Sequence, residues 1–119
     1  MQIQVNSNRS IAIGESFERW ATDELNASFS RFKDVITRIE VHMSDENGDR
    51  PGIDDKRCVI EARLANRDPV AVNHQAGNQD DAFRGASDKL KRLIEHSLDK
   101  VRDHRSRESI RHDQDLKKV

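Results

Sequence analysis

The last third of the chain carries a row of cationic side chains at helical spacing. Lys89, Arg92, His96 and Lys100 follow one another at intervals of three, four and four residues, so on a helix they form one stripe. Successive helical turns lie about 5.4 Å apart, close to the scale of phosphate spacing along a nucleic-acid strand. Exposed lysines and arginines bind phosphates without reading base sequence. The stripe therefore indicates a phosphate-binding surface, with an ordinary solvated helix face as the alternative.

A second group of residues has the spacing of a calcium-binding loop. Asp45, Asn47 and Asp49 stand where such a loop places its first three ligands. However, Arg50 occupies the position of the loop glycine, and Lys56 replaces the closing glutamate. A polar loop between two strands is the interpretation that we favour.

The remaining candidates for chemistry are isolated residues. The five histidines are scattered over different segments, and no phosphate-binding glycine loop, nucleophile elbow or helical pair of histidines occurs. Cys58 lies on the apolar side of a predicted strand, which favours a buried structural thiol over a nucleophile. A single cysteine also fits a reducing compartment. We therefore predict that the protein is not an enzyme and has no metal or cofactor.

The elements that position these residues follow from the periods of the apolar residues. Alternation predicts four strands, and a 3.6-residue period predicts two helices, which gives the order β-α-β-β-β-α. We take Ser16 as the N-cap of the first helix and Asn78 as the N-cap of the second. The predicted strands cover residues 2–6, 34–44, 57–65 and 69–74, and the first helix lies within residues 13–32.

The alternation in all four strands predicts an α+β fold of two layers. One face of a four-stranded sheet is covered by both helices, and the other faces water. The first two strands are joined through a helix and should be parallel, whereas the others can form an antiparallel meander. The expected buried stripe of the second helix is Phe83, Ala86, Leu90, Leu93, Ile94, Ser97 and Val101.

Composition indicates one small folded domain. Charged residues make up 36% and apolar residues 34% of the chain, but the net charge is only −1, which is on the folded side of the compositional border. Apolar periodicity ends near residue 104, so we predict a domain of residues 1–104 and a polar, flexible tail of residues 105–119. The opening residues lack an apolar signal region and no apolar run reaches the length of a membrane span, so we expect a cytoplasmic protein.

Several stretches together resemble the ribosome hibernation-promoting factor and ribosome-associated inhibitor family, also called sigma-54 modulation proteins. They span residues 1 to about 102 in the order that the family shows. These stretches are MQIQV with Arg9 after it, RFKDVITRIEVHMS, RCVIEARL, and DKLKRL after DDAFRGAS. The chain is similar to the short forms of the family, which lack a second domain.

The resemblance implies a translation inhibitor that binds ribosomal RNA of the small subunit in the channel for messenger and transfer RNA. No membrane or small-molecule substrate is implied, and we expect a monomer that acts in ribosome hibernation under stress. The candidate RNA-binding residues are Lys89, Arg92, His96, Lys100, Arg9, Arg31 and Lys33. Two residues depart from the family pattern, because Glu95 and Leu98 stand where members commonly carry cations.

Two other classes of protein share parts of this pattern. A double-stranded-RNA-binding domain would begin with a helix and carry lysines at the start of its second helix, where this chain has Asp80 and Asp81. A protein-interaction or stress module with the same fold that has lost ribosome binding is the alternative that stays open. Its main support is the lack of a net positive charge, since 21 basic residues are offset by 22 acidic ones.

Overall fold

A computed structural model describes residues 1–8, 11, 13–45 and 56–118, with side chains described as far as residue 98. The element order is the predicted β-α-β-β-β-α, with a short 3-10 helix (Ser30–Phe32) after the first α-helix. The elements are β1 (Gln2–Ser7), α1 (Glu15–Ser28), β2 (Ile36–Asp45), β3 (Lys56–Leu64), β4 (Val70–Ala76) and α2 (Gln79–Lys118).

The four strands form one mixed sheet in the order β1-β2-β3-β4. β1 runs parallel to β2, with Ile3 opposite Ile39, and the two later pairings are antiparallel. The predicted crossover and meander are thereby confirmed. A helical crossover returns the chain to the same end of the sheet and gives a parallel pair, whereas a short loop gives an antiparallel one. Because β4 stands last in the strand order, it is an edge strand.

The core lies between the sheet and the two helices, and its strand residues follow the predicted alternation. Side chains at Ile39, Val41 and Met43 of β2 are buried, as are those at Cys58 and Ile60 of β3. Both helices cover this face, which confirms the two-layer α+β fold. They meet through aromatic side chains: the ring of Phe83 in α2 lies 6.0 Å from that of Phe17 and 5.3 Å from that of Trp20 in α1, measured between centroids.

The first helix lies within the predicted residues 13–32, but its N-cap differs from the predicted one. Its N-cap is Gly14, in an extended conformation, and not Ser16, because the first helical hydrogen bond runs from the Glu18 N–H to the Gly14 carbonyl. Acidic side chains then occupy the first turn, where the helix dipole favours negative charge. The helix ends at Ser28, and the 3-10 turn carries the buried ring of Phe32 inward before the chain enters β2.

The second helix begins as predicted, with Asn78 as its N-cap. The Asn78 Oδ1 accepts a hydrogen bond of 2.8 Å from the Asp81 N–H. Leu90 and Ile94 are fully buried, but Leu93 is 37% exposed, so its predicted burial is wrong. On the helix Leu93 lies about 60° from Leu90, on the flank that passes beyond the edge strand, where no further strand covers it. Val101, the last residue of the predicted stripe, lies outside the described side chains.

The backbone of α2 continues as helix to Lys118, through the segment predicted as a tail. Neither glycine nor proline interrupts the sequence after Gly85, so nothing in the chain breaks the helix there. The division into a domain of residues 1–104 and a separate tail stays a prediction. Asn47 and Asp49 of the predicted polar loop lie outside the described residues, and Asp45 pairs with Lys56 Nζ at 3.0 Å.

Candidate nucleic-acid interface

The flank of α2 that bears the cationic stripe lies along the edge strand β4. Gly85, one turn before Lys89, has the imidazole of His74 against it: a Cβ at this position would lie 2.1 Å from His74 Cδ2. Glycine therefore leaves room for the His74 ring, and the helix approaches the strand closely at this point. The contact places the stripe side of α2 beside β4 and its opposite side toward α1.

Lys89 is exposed and is held at this edge by one hydrogen bond. Its Nζ donates to the carbonyl oxygen of Asn73 in β4 at 2.9 Å. An ammonium group carries three N–H donors, so two remain to bind an anion from solvent. The bond also covers one carbonyl of the edge strand, which would otherwise be open to pairing with another chain. The long lysine side chain is thus pre-positioned beside the strand.

Arg92 and His96 continue the stripe and are exposed. Neither forms a hydrogen bond or ion pair with another residue in the described part of the chain. Because the buried face of α2 fixes the rotation of the helix, these side chains project from a rigid element. Lys100 belongs to α2, but its side chain lies outside the described ones, and Arg9 lies outside the described residues altogether.

The structure does not bring Arg31 and Lys33 together with the stripe. Both are exposed and follow α1, in and just after the 3-10 turn. Arg31 Nη2 forms an ion pair with Glu95 Oε1 of α2, and the Arg31 guanidinium lies 4.5 Å from the centroid of the Phe32 ring. Glu95 lies about 120° from Lys89 around the helix, on the flank beyond Arg92. The predicted residues therefore lie on two sides of α2, and a carboxylate occupies one of them.

Two interactions at this interface were not found from the sequence. Arg67, in the turn between β3 and β4, donates from Nη1 to Ser97 Oγ at 3.2 Å and brings a further cation beside α2, at the residue that follows His96. A single basic residue in a turn carries no signal of its own. Glu95 was noticeable in the sequence, because it is an acid at a position where the family pattern has a base. Its partner Arg31 could not be identified, because the two residues are distant in sequence.

The open face of the sheet does not accumulate positive charge in the same way. Glu40 lies between two bases, with Arg38 Nη2 at 2.8 Å from its Oε1 and His42 Nε2 at 3.6 Å from its Oε2. On the next strand, Arg63 Nε lies 4.0 Å from Glu61 Oε1. Acids and bases thus alternate within strands and offset one another. The flank of α2 with Lys89 and Arg92 is therefore the better candidate for a surface that binds a polyanion.

The structure agrees with the structural role assigned to Cys58. The thiol is buried in the core, and burial raises its pKa from 9.0 to about 12. In the described part of the chain, no three side chains of His, Cys, Asp or Glu come together as metal ligands. Likewise, no helix among the described residues is long and apolar enough to span a membrane.

The raised pKa of Cys58 predicts slow thiol modification in the folded protein. At pH 8 the thiol is protonated and buried, so an aromatic disulfide reagent should react at least about 100-fold more slowly than with the urea-unfolded chain. The folded form retains this proton more tightly than the unfolded chain, so the associated stability is present below pH 9.0 and decreases as the pH rises toward 12. Equal rates in the folded and unfolded states would contradict the burial of this side chain.

Comparison with known proteins identifies relatives of both the sequence and the fold. Residues 3–102 match the family model described as sigma 54 modulation protein / S30EA ribosomal protein. The Protein Y N-terminal domain of Thermus thermophilus has 18% identity and a TM-score of 0.64, over 81% of this chain and 98% of that one. A ribosomal subunit interface protein from Coxiella burnetii has 12% identity and a TM-score of 0.59, over 82% and 98%. At these identities the solved structures establish similarity of fold. A search of curated protein sequences gave no match.

Proposed function

The chain belongs to the sigma 54 modulation protein / S30EA ribosomal protein family, and from this premise we propose that it is a hibernation factor that inhibits translation on the small ribosomal subunit. The family is not enzymatic, in agreement with the prediction of no catalytic activity. In this proposal the protein acts as a cytoplasmic monomer and requires no cofactor.

The proposed mechanism is occlusion of the channel that messenger and transfer RNA would occupy. The domain lodges there with the cationic flank of α2 against ribosomal RNA. Lys89 and Arg92 bind phosphate oxygens, together with His96 on the same stripe. Recognition of this kind depends on the shape of the RNA and on backbone contacts, because phosphates look alike in every sequence. Inhibition then requires binding alone.

The observation that carries this proposal is the position of Lys89 and Arg92 on α2. Both are exposed on one flank of a helix whose opposite face is fixed by fully buried Leu90 and Ile94. Lys89 retains two donors beside its bond to Asn73, and Arg92 has no internal partner among the described residues. Because the backbone of α2 is already ordered, only the side chains lose conformational freedom when these cations bind a surface, which favours affinity.

A second candidate function is a protein-interaction module that keeps the fold without binding ribosomes. The pairing of Arg31 with Glu95 favours it, because this ion pair removes one cation from the set available to RNA. The net charge of −1 also favours the protein-interaction module, because it gives the chain no overall attraction to RNA. Association with ribosomes distinguishes the two functions.

We expect the purified protein to co-sediment with small ribosomal subunits at low salt and to inhibit translation in a reconstituted system. Binding should weaken steeply as salt rises, because released counterions drive association with a polyanion. Sedimentation through a sucrose cushion, followed by immunoblotting, measures the bound fraction. Recovery of the folded protein only in the ribosome-free fraction at low salt would favour the protein-interaction module.

A further inference from the structure

Arg31 in the 3-10 turn and Glu95 in α2 are 64 residues apart in sequence and form an ion pair that joins the two elements. The pair lies on the surface: the side chain of Arg31 is 62% exposed and that of Glu95 is 36% exposed. It therefore remains accessible to other ions. A surface pair of this kind adds little to folding stability, so it can be exchanged for another ion pair at small cost to the fold.

The guanidinium of Arg31 is held in a defined place. It lies over the Phe32 ring, 4.5 Å from its centroid, and Phe32 is buried in the core. A cation over an aromatic face is attracted by the ring quadrupole, and here the ring is packed in the core. The guanidinium has five N–H donors in a planar fork, of which the bond to Glu95 employs those on one nitrogen. Arg31 is thus pre-organised to bind an oxyanion.

Glu95 also neighbours the cationic stripe. It follows Arg92 by three residues, and side chains three apart on a helix lie side by side. Glu95 therefore stands between Arg92 on the stripe side and Arg31 on the side of the 3-10 turn. Without its negative charge, the cations of the stripe would continue across the outer surface of α2 to Arg31.

We propose that Glu95 is an intramolecular competitor for the oxyanion site at Arg31, so that an RNA phosphate must displace its carboxylate before Arg31 contributes to binding. The inference rests on the proposed function, because it concerns how tightly the same surface binds ribosomal RNA. It assigns Arg31 a role in the complex and Glu95 a role in limiting the affinity. The Glu95 carboxylate occupies in the free chain the place that a phosphate takes in the complex.

The strengths of the two interactions allow the exchange. Breaking an exposed carboxylate–guanidinium pair costs at most about fivefold in affinity. A phosphate group can accept two parallel N–H bonds from the arginine fork, and such bonds are stronger when they are charge-assisted. In the unaltered chain, RNA binding is weakened by the free energy needed to break the Arg31–Glu95 pair. In a chain without the Glu95 carboxylate, the Arg31–phosphate pair forms without that cost.

The test compares Glu95→Gln with Asp88→Asn, a matched control. Asp88 is an exposed acid on the same flank of α2, seven residues earlier, and it has no ion pair among the described residues. Dissociation constants for purified small ribosomal subunits are measured over a series of salt concentrations. Glu95→Gln should tighten binding about fivefold at low salt, since the cost of breaking the pair is then removed, and steepen the log–log salt dependence by about one unit, for one added phosphate bound. Asp88→Asn should change the affinity by no more than about twofold.

A second pair of variants identifies Arg31 as the group that is released. In an Arg31→Gln background, Glu95→Gln should tighten binding no more than Asp88→Asn does. Equal effects of Glu95→Gln and Asp88→Asn in the otherwise unaltered chain would overturn the inference, because net charge alone would then explain them. A tightening of about fivefold that persists in the Arg31→Gln background would also overturn it. If the unaltered, folded protein fails to bind subunits at all, the proposed function fails first and the inference fails with it.

Discussion

Replacing Lys89 and Arg92 together with alanine is expected to weaken binding to small ribosomal subunits by about 100-fold. A hydrogen bond to a charged group contributes about 1.5 kcal/mol or more, so removing each of the two side chains proposed to bind phosphate should weaken binding about tenfold. The log–log salt slope should decrease by about two units, one for each phosphate. The melting temperature should fall by only a few degrees, since the change inside the protein is confined to the bond from Lys89 to Asn73.

The matched control for this pair is Lys91→Ala with Arg63→Ala. It removes the same two charges, from the other flank of α2 and from the open face of the sheet, respectively. We expect a loss of affinity below about threefold, because charges that do not touch the RNA act only through the screened field of the whole protein. If both double variants bind equally poorly, net charge governs binding and the position of the stripe is irrelevant. If neither loses affinity, the binding surface does not include this flank of α2.

Leu90→Ala is expected to destabilise the domain by about 2–5 kcal/mol. Leu90 is fully buried at the centre of the α2 face that packs on the sheet. Truncation loses the hydrophobic free energy gained by burying the removed atoms, and it leaves a cavity that the surrounding side chains fill only in part. Urea denaturation followed by circular dichroism measures the change, and the midpoint should shift without a large change in slope.

Leu93→Ala is the control for this substitution, on the same helix and with the same change of side chain. Because Leu93 is 37% exposed beyond the edge strand, we expect a loss of stability below about 1 kcal/mol. A loss at Leu93 as large as that at Leu90 would mean that α2 is rotated relative to the sheet. In that case the stripe of Lys89 and Arg92 would not face solvent as described.

The order of elements and the inward residues of the strands were predictable from the sequence because they depend on local periods. Alternation at Ile39, Val41 and Met43 admits only one assignment of faces, since a shift of one residue would expose every apolar side chain. The helical spacing of Phe83, Leu90 and Ile94 orients α2 by the same reasoning. The sorting of its polar residues into flanks is likewise a property of the sequence.

Tertiary structure decided what each flank of α2 meets. Because β4 is the edge strand, Leu93 extends past the sheet and stays exposed, while Lys89 reaches the Asn73 carbonyl. The pairing of Arg31 with Glu95 depends on where the 3-10 turn lies relative to α2. Residues far apart in sequence come together only when the chain packs, and no local period records which side of a helix faces the edge strand and which faces its neighbouring helix. The cations of this chain were thus evident from its sequence, whereas their partners followed only from the packing of α2 between β4 and the 3-10 turn.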